Sequence, residues 1–162
     1  MLDIVTFGDP VLEKKASAVE RFDEELSTLI ADMFESLKRE RGLGLAAPQV
    51  GKSLRLFITD VEDDKPRVFI NPEIVQTSPE EVDYEEGCLS FPGLYTNVRR
   101  PESVRIQAFG EKGRPFTIEA DGLLARVILH ENDHLDGKLF IDRLSPVRRE
   151  KAILHYNRLL RM

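Results

Sequence analysis

The sequence predicts an α+β fold in one domain over residues 1–162, with antiparallel or mixed β-sheets around a central helix, an N-terminal helix and a C-terminal helix. Apolar residues at three- and four-residue spacing predict the helices, whereas alternating or β-branched runs occupy the middle of the chain. A block of strands with few helices is typical of α+β domains in which a helix packs against the sheets. The chain has no internal repeat or low-complexity linker, which favours a single domain.

The first helix is predicted from about Asp23 to Arg41. Its apolar residues recur at helical spacing and form one stripe for burial: Leu26, Leu29, Ile30, Met33, Phe34 and Leu37. We expect Gly42 to be the glycine that ends this helix. Upstream, Gly8-Asp9-Pro10 predicts a turn that leads into a short helical turn.

Four strand-like runs follow this helix. In residues 54–59, Leu54, Leu56 and Ile58 alternate with Arg55, Phe57 and Thr59. Arg67 to Ile70 is a short β-rich run that we expect to end at Asn71-Pro72. Val104–Phe109 and Phe116–Ile118 predict two strands joined by a turn at residues 110–113.

The second helix is predicted from near Asp121, a favourable N-cap residue, to near Gly137. Leu124, Val127, Ile128 and Leu135 are its apolar positions. After a short apolar run at residues 139–141, Ser145-Pro146 predicts the start of the last helix, which continues to about Leu160.

Composition excludes several classes of protein. Hydrophobic residues make up 41% and charged residues 32% of the chain, which is typical of a globular protein. The net charge of −6 argues against a nucleic-acid partner, because phosphate binding needs a basic face. No apolar run approaches the ~20 residues that span a bilayer, so we expect no membrane association. The first eight residues lack a secretory signal pattern and Cys88 is the only cysteine, so we expect a cytoplasmic protein without disulfides.

The segment His130-Glu131-Asn132-Asp133-His134 predicts a metal site on the second helix. Residues four apart lie on one helix face with β-carbons about 5–6 Å apart, so both imidazoles can bind one divalent ion. Glu131 lies one position along the helix, close enough to act on a metal-bound water without being a ligand. We therefore predict a mononuclear hydrolase in which Glu131 is the proton-transferring base.

A catalytic metal of this kind needs a third protein ligand. Cys88 is the attractive candidate, because its thiolate binds borderline divalent metals strongly and its segment, Glu86 to Ser90, contains a glycine. His155 is a weaker candidate, since arginines surround it in sequence. Downstream carboxylates remain an alternative, and the residues concerned are Asp136, Asp142 and Glu150.

The segment Gly42 to Gln49 is rich in small residues, which indicates tight packing and special backbone angles. It lacks the ending of a phosphate-binding loop. Gln49 follows a proline and ends an apolar run, so its amide either donates into a dry pocket, as an oxyanion stabiliser must, or lies on the surface as part of a connection.

Three segments, taken in chain order, resemble the peptide deformylase family. They are the glycine-rich segment that ends in Gln49, the Glu-Gly-Cys-Leu-Ser segment at 86–90 and the His-Glu-x-x-His helix at 130–134. The residues 133–137 and the opening 7–12 are similar to the family as well, so the resemblance covers essentially the whole chain. The family usually has a glutamine where this chain has Leu129. It often has a charged or polar substrate-contacting side chain within the stretch that here reads Phe91 to Tyr95.

The resemblance implies that the substrate is the N-formyl-methionyl end of a nascent polypeptide and that hydrolysis releases formate. It implies metal ligands Cys88, His130 and His134, with Fe²⁺ as the metal and Zn²⁺, Ni²⁺ or Co²⁺ as alternates. The Gln49 side chain and the backbone N–H of Leu89 are then expected to stabilise the oxyanion. The peptide is expected to bind as an extended strand against the backbone of Leu43–Gly44 and Gly87. An apolar pocket for the methionine side chain is expected to be lined by Leu43, Leu123 and Val127.

Two other functions remain open at this point. A zinc endopeptidase would use His130, His134 and a downstream carboxylate, and would not need Cys88. A non-enzymatic metal-binding or ribosome-associated module would not need Glu131. The resemblance also suggests transient contact with the ribosome through the basic residues of the last helix, which are Arg148, Arg149, Lys151, Arg158 and Arg161.

Overall fold

The computed structural model describes residues 2–162 and contains, within them, three α-helices and seven strands. The helices are α1 (Glu24–Glu40), α2 (Gly122–Leu135) and α3 (Pro146–Leu160). The strands are β1 (Gly44–Ala46), β2 (Leu56–Thr59), β3 (Arg67–Thr77), β4 (Glu81–Gly87), β5 (Tyr95–Pro101), β6 (Ser103–Phe109) and β7 (Pro115–Asp121). Three short 3₁₀ helices cover Pro10–Glu13, Ala47–Val50 and Phe140–Arg143.

The strands form two antiparallel sheets around α2. Five strands pair in the order β1-β2-β3-β6-β7, and β4 pairs with β5 in a separate hairpin. Helix α2 contacts strands of both sheets. This arrangement confirms the predicted α+β fold with a central helix.

Strand β2 lies between two parts of the core, and all four of its residues are buried. Phe57 packs in the cluster beneath α2, whereas Leu56 and Ile58 pack in the cluster beneath α1. The alternation predicted for this strand therefore separates two apolar faces rather than a buried face from a solvated one. The buried stripe of α1 is confirmed by Leu26, Ile30, Met33 and Leu37.

The predicted role of Gly42 at the end of α1 is wrong by one residue. The left-handed residue is Arg41, with φ 56°, and its N–H bonds back to the carbonyls of Leu37 and Lys38. Gly42 is instead a close-packed position. A β-carbon there would lie 2.9 Å from Leu37 Cδ1 and 3.0 Å from Leu89 Cδ1.

The prediction that a strand ends at Asn71-Pro72 is also wrong, because β3 continues to Thr77. Asn71 has φ 50°, and the pairing with β6 shifts register between Ile70 and Glu73. The missing N–H of Pro72 falls in this irregular stretch, where such a residue is tolerated. The Asn71 side chain holds the irregularity by bonding both the N–H and the carbonyl of Val19, at 2.8 and 3.0 Å.

The hairpin β4–β5 has no counterpart among the predicted strands. Its exposed residues include Val82, Tyr84 and Tyr95 as well as charged residues, whereas its buried positions include Glu86 and Arg100 beside Val98. The hairpin therefore lacks the buried apolar face that an alternating pattern normally marks. The hairpin runs from the pair Glu81–Pro101 to the pair Gly87–Tyr95, so that Cys88 follows directly at its end.

The ends of α2 and α3 agree with the predicted signals. Asp121 is the N-cap of α2, although its side chain makes no capping hydrogen bond. Gly137 has φ 73° just beyond the helix, as expected for a terminating glycine. Ser145 caps α3 by accepting a hydrogen bond from the N–H of Arg148. The run at 139–141 leads into the last 3₁₀ helix, and no helix in the described part of the chain is long and apolar enough to cross a membrane.

Candidate active site

Three ligand-type side chains meet between α2 and the end of β4. Cys88 comes from the hairpin, and His130 and His134 lie one turn apart on α2. One donor atom from each lies within 4.8 Å of the others, and Cys88 Sγ is 3.5 Å from His134 Nε2. Among residues 2–162 this is the only such group of three or more His, Cys, Asp or Glu side chains.

These residues fit a single divalent metal ion. A zinc ion typically lies ~2.0–2.1 Å from an imidazole nitrogen and ~2.3 Å from a thiolate sulfur. Donor atoms within 4.8 Å of one another can therefore bind the same ion. A thiolate with two imidazoles suits borderline metals such as zinc or ferrous iron. Both histidines are buried, which limits competition from water.

Glu86 fixes the orientation of His130. The Nδ1 atom of His130 lies 2.9 Å from Glu86 Oε1, which leaves His130 Nε2 for the cleft. Arg100 donates to both oxygens of Glu86 at 2.6 and 3.1 Å, and Arg126 donates to Oε2 at 2.6 Å. Burial alone would raise the pKa of Glu86, but the bonds from His130 and Arg100 lower it to about 2.

A second buried carboxylate extends this ion-pair network. Asp133 accepts from Arg100 at 2.9 Å and from Arg143 at 3.0 and 2.6 Å. Burial opposes ionisation of Asp133, but both arginines hold its pKa below the ordinary value. Each buried charge is thus paired, as the low-dielectric interior requires. The network joins the helix that carries both histidines to the hairpin that carries Cys88.

The pKa values of the two histidines shift in opposite directions. Burial, reinforced by the nearby charge of His130, lowers the pKa of His134 to about 3. Burial also acts to lower the pKa of His130, but hydrogen bonds with Cys88 and Glu86 raise it well above the usual value. His134 is therefore neutral, the form in which imidazole binds a metal.

Glu131 lies beside the ligand group and is almost fully buried, with 4% of its surface exposed. Its Oε1 atom has no hydrogen-bond partner within the part of the chain described. Burial raises the pKa of Glu131 to about 7, although the charges of His130 and Arg100 act in the opposite direction. A carboxyl group with such a pKa is suited to exchange protons near neutral pH.

Gln49 is buried and held in one orientation, so the alternative of a surface position is wrong. Its Oε1 accepts a hydrogen bond from the N–H of Ala46 at 3.0 Å. Its Nε2 donates to Ser90 Oγ at 3.1 Å and lies 3.6 Å from Cys88 Sγ. One amide hydrogen therefore points along the wall of the cleft toward the ligand group.

The ligand group opens into a cleft of about 410 Å³. All the residues expected to contact the peptide line it: Leu43, Gly44, Gly87, Leu123 and Val127, together with Leu89. Tyr84, Tyr95 and Arg126 also line the cleft and were not predicted from sequence. Arg126 precedes His130 by four residues on α2, so helical spacing alone was the available signal.

The alternative third ligands lie outside this group. His155 and Glu150 are exposed on α3. Asp136 pairs with Arg55 at 3.1 Å, and Asp142 pairs with Arg149 at 2.8 Å. A larger cavity of about 950 Å³ has acidic lining residues but neither a cysteine nor a histidine.

Leu129, the residue that departs from the family pattern, does not line the cleft. Its side chain is partly buried against the apolar cluster between α2 and the larger sheet. The substitution of leucine for the usual glutamine therefore fills the core rather than altering the cleft wall.

The fold has two antiparallel sheets around a helix that carries His-Glu-x-x-His, and a cysteine lies beside the two histidines. These features define a single-metal amide hydrolase. The model of the polypeptide deformylase family matches residues 1–150. The chain belongs to this family.

Curated relatives and solved structures are similar over most of their length. The peptide deformylase of Clostridium botulinum is 57% identical over 143 residues, which are 88% of this chain and 96% of the relative. That of Treponema pallidum is 46% identical over 155 residues, 96% and 95% of the two chains. The crystal structure from Legionella pneumophila superposes with a TM-score of 0.93 at 46% identity and covers 99% of this chain and 96% of its own. A Synechococcus elongatus structure in complex with actinonin has a TM-score of 0.91 at 43% identity, with coverage of 96% and 88%.

The chain is accordingly a metal-dependent hydrolase that removes the N-formyl group from the terminal formyl-methionine of nascent polypeptides and releases formate. The endopeptidase and the non-enzymatic alternatives are wrong, since the family assignment covers nearly the whole chain.

Proposed function

We propose that Cys88, His130 and His134 hold one Fe²⁺ ion, with Zn²⁺, Ni²⁺ or Co²⁺ as alternate occupants, and that Glu131 transfers the protons of deformylation. One observation carries this proposal. The three donors lie within 4.8 Å of one another, and the Glu131 carboxyl group is buried next to them. A thiolate with two imidazoles is compatible with iron and with zinc. The resemblance to the family favours iron.

A divalent metal bound by these three residues supplies a Lewis acid that lowers the pKa of water and polarises a carbonyl oxygen. Glu131 accepts the proton of the attacking water and delivers it to the peptide nitrogen as the bond from that nitrogen to the formyl carbon breaks. The products are formate and a free amine. The pKa of about 7 for Glu131 supports this role, because the group can both accept and return a proton.

We propose that Gln49 Nε2 and the backbone N–H of Leu89 donate hydrogen bonds to the oxyanion. The fixed orientation of the Gln49 amide supports its assignment, since a preorganised donor needs no rearrangement during the reaction. Leu89 follows Cys88 directly and lines the same cleft.

The peptide is proposed to bind as an extended strand along Leu43–Gly44 and Gly87. Recognition through backbone groups suits an enzyme that must accept many sequences. Leu43, Leu123 and Val127 are proposed to contact the methionine side chain. Leu43 and Leu123 are each 41% exposed at the cleft, which leaves apolar surface for a ligand to cover.

We propose further that residues 1–162 act as one domain, in the cytoplasm, where nascent chains emerge. Transient ribosome contact is proposed through α3. Lys151 and Arg158 are exposed two turns apart on one face of this helix. Arg148 and Arg149, in contrast, already bond Asn97 and Asp142 within the chain. If charge reversal at Lys151 and Arg158 leaves ribosome co-sedimentation unchanged, this part of the proposal is wrong.

The test of the site is metal content measured beside formate release. The chain is purified anaerobically, its metals are quantified, and formate release is assayed with a formyl-methionyl tripeptide. We expect about one iron per chain and turnover, both lost in Cys88→Ser. Metal retained at one per chain by Cys88→Ser, with unchanged turnover, would contradict the ligand assignment.

A further inference from the structure

The cleft beside the ligand group ends against a second cavity. This second cavity has a volume of about 200 Å³, about half that of the cleft. Three residues line both spaces, and these are Tyr84, Leu123 and Arg126. They therefore form the partition between the cleft and the second cavity. The remaining lining of the second cavity is Val82, Pro101, Glu102 and Gly122.

Arg126 is the buried member of this partition, with 8% of its surface exposed, whereas Tyr84 and Leu123 are 54% and 41% exposed. Its guanidinium is bonded in several directions. One nitrogen donates to Glu86 Oε2 at 2.6 Å and to the carbonyl of Val98 at 2.8 Å, and the other donates to the carbonyl of Val82 at 2.6 Å. The guanidinium carbon also lies 5.4 Å from the centre of the Tyr84 ring.

These bonds determine what Arg126 can do in the cleft. A guanidinium that already serves a carboxylate and two carbonyls is poorly placed to bind an additional anion. The same bonds tie α2 to both strands of the β4–β5 hairpin, so the side chain is a rigid wall rather than a mobile one. Desolvated groups held in this way resist displacement by an apolar ligand.

We propose that Arg126, flanked by Tyr84, closes the far end of the side-chain pocket and sets the length of the first residue that the enzyme accepts. The inference rests on the proposed binding of the methionine side chain near Leu123 and Val127. Beyond the partition, Val82 and Pro101 offer apolar surface. A longer unbranched side chain would fit this surface if the wall were absent.

The experiment compares formyl dipeptides whose first residue is methionine, norleucine or 2-aminooctanoate, with the metal-loaded wild type and Arg126→Ala. We expect the ratio of kcat/KM for 2-aminooctanoate to that for methionine to rise by about tenfold in Arg126→Ala, the scale of added apolar contacts in a pocket. A merely structural role of Arg126 predicts a different result. Loss of its bond to Glu86 would lower kcat by the same factor for every substrate and leave the ratio unchanged.

Val82→Phe provides a matched variant, because Val82 lines the second cavity but not the cleft. In the wild-type background we expect this change to leave the substrate ratio unaltered. In the Arg126→Ala background it should remove most of the gain, since the phenyl ring fills the space that the longer side chain would enter. A gain that persists in the double variant would overturn the proposal.

Tyr84→Ala keeps the test decisive if Arg126→Ala does not fold. Tyr84 is exposed and makes no hydrogen bond to Glu86, so we expect a folded protein with a smaller shift in the same direction. The proposal is overturned if every folded variant of Arg126 or Tyr84 keeps the wild-type ratio of kcat/KM for 2-aminooctanoate to that for methionine. Absence of formate release from formyl-methionine by the wild type would instead contradict the proposed function, so the two failures are distinguishable.

Discussion

The Nδ1 atom of His130 lies 2.9 Å from the Oε1 atom of Glu86, and both groups are buried. Glu86 belongs to the strand that leads directly to Cys88, so one carboxylate links the hairpin to the helix that carries the two histidines. Its negative charge is in turn balanced by Arg100 and Arg126. A carboxylate on the second nitrogen of an imidazole fixes its tautomer and raises its basicity as a ligand.

We therefore expect Glu86→Gln to weaken metal binding by about 10- to 100-fold, the usual effect of removing such a partner. The measurement is a competition titration with a chromogenic chelator under anaerobic conditions. Asp83→Asn is the matched control, because Asp83 is an exposed acid of the same strand and pairs with Arg99. Equal metal affinity in Glu86→Gln and the control would show that His130 does not depend on this contact.

Glu131→Gln should keep the metal and lose turnover. The change preserves the size of the side chain but removes its capacity to accept a proton, and general-base catalysis typically contributes ~10²–10⁴ in rate. Formate release and metal content are measured on the same preparation. Glu150→Gln, at an exposed position on α3, serves as the control. Wild-type kcat in Glu131→Gln would rule out the proposed role of Glu131.

Gln49→Leu should lower kcat by about 10²–10³, the effect of losing one oxyanion donor, while KM changes little. The N–H of Ala46 loses its acceptor as well, so we expect unfolding in urea to show a loss of about 1–3 kcal/mol. Ser90→Ala separates the two effects. It removes the Oγ acceptor of Gln49 Nε2 but keeps the donor, so its kcat should fall much less. Similar losses of kcat in both variants would contradict the donor role.

The local signals in the sequence were sufficient to predict the two histidines and the order of α1, β2, β6, β7, α2 and α3, whereas the resemblance to the family was needed to prefer Cys88 over the downstream carboxylates as third ligand. The pairing of His130 and His134 can be predicted because residues four apart lie on the same face of a helix. The buried partners of this group were not predictable in the same way. Glu86, Arg100 and Asp133 are charged, and a charged residue indicates a solvated face unless its partner is known. Those partners are brought together by tertiary packing across 14 to 44 residues of sequence.

The missed hairpin and the wrong boundary in β3 both have a cause in contacts between distant parts of the chain. The buried face of β4–β5 is made largely of paired charges, so no apolar period marks it. At the end of α1, Arg41 adopts the left-handed conformation although a glycine follows it. In β3, Asn71 takes a positive φ because its side chain bonds the backbone of Val19, a contact 52 residues away. Local propensity encodes neither the ion pairs of the hairpin nor the contact between Asn71 and Val19.

Gly44, on β1, lies directly against Val127 and Glu131 of α2. A β-carbon there would lie 2.7 Å from Val127 Cγ1 and 2.9 Å from both Cγ and Oε2 of Glu131. Real β-carbons do not tolerate such separations, so Gly44→Ala must push the helix or the Glu131 side chain away from the strand. We expect a loss of about 1–3 kcal/mol in the free energy of unfolding, as for other overpacked sites.

The same displacement should lower kcat more than it changes metal content, because Glu131 moves relative to ligands that the hairpin and α2 still hold. Gly110→Ala is the matched control. A β-carbon at that turn position meets only the carbonyl of Arg114, at an ordinary 3.8 Å. The measurements are urea unfolding, metal per chain and formate release for both variants. If Gly44→Ala matches Gly110→Ala in stability and in kcat, the close contact between Gly44 and Glu131 does not constrain the catalytic carboxylate, and the tight spacing of β1 and α2 has no part in positioning it.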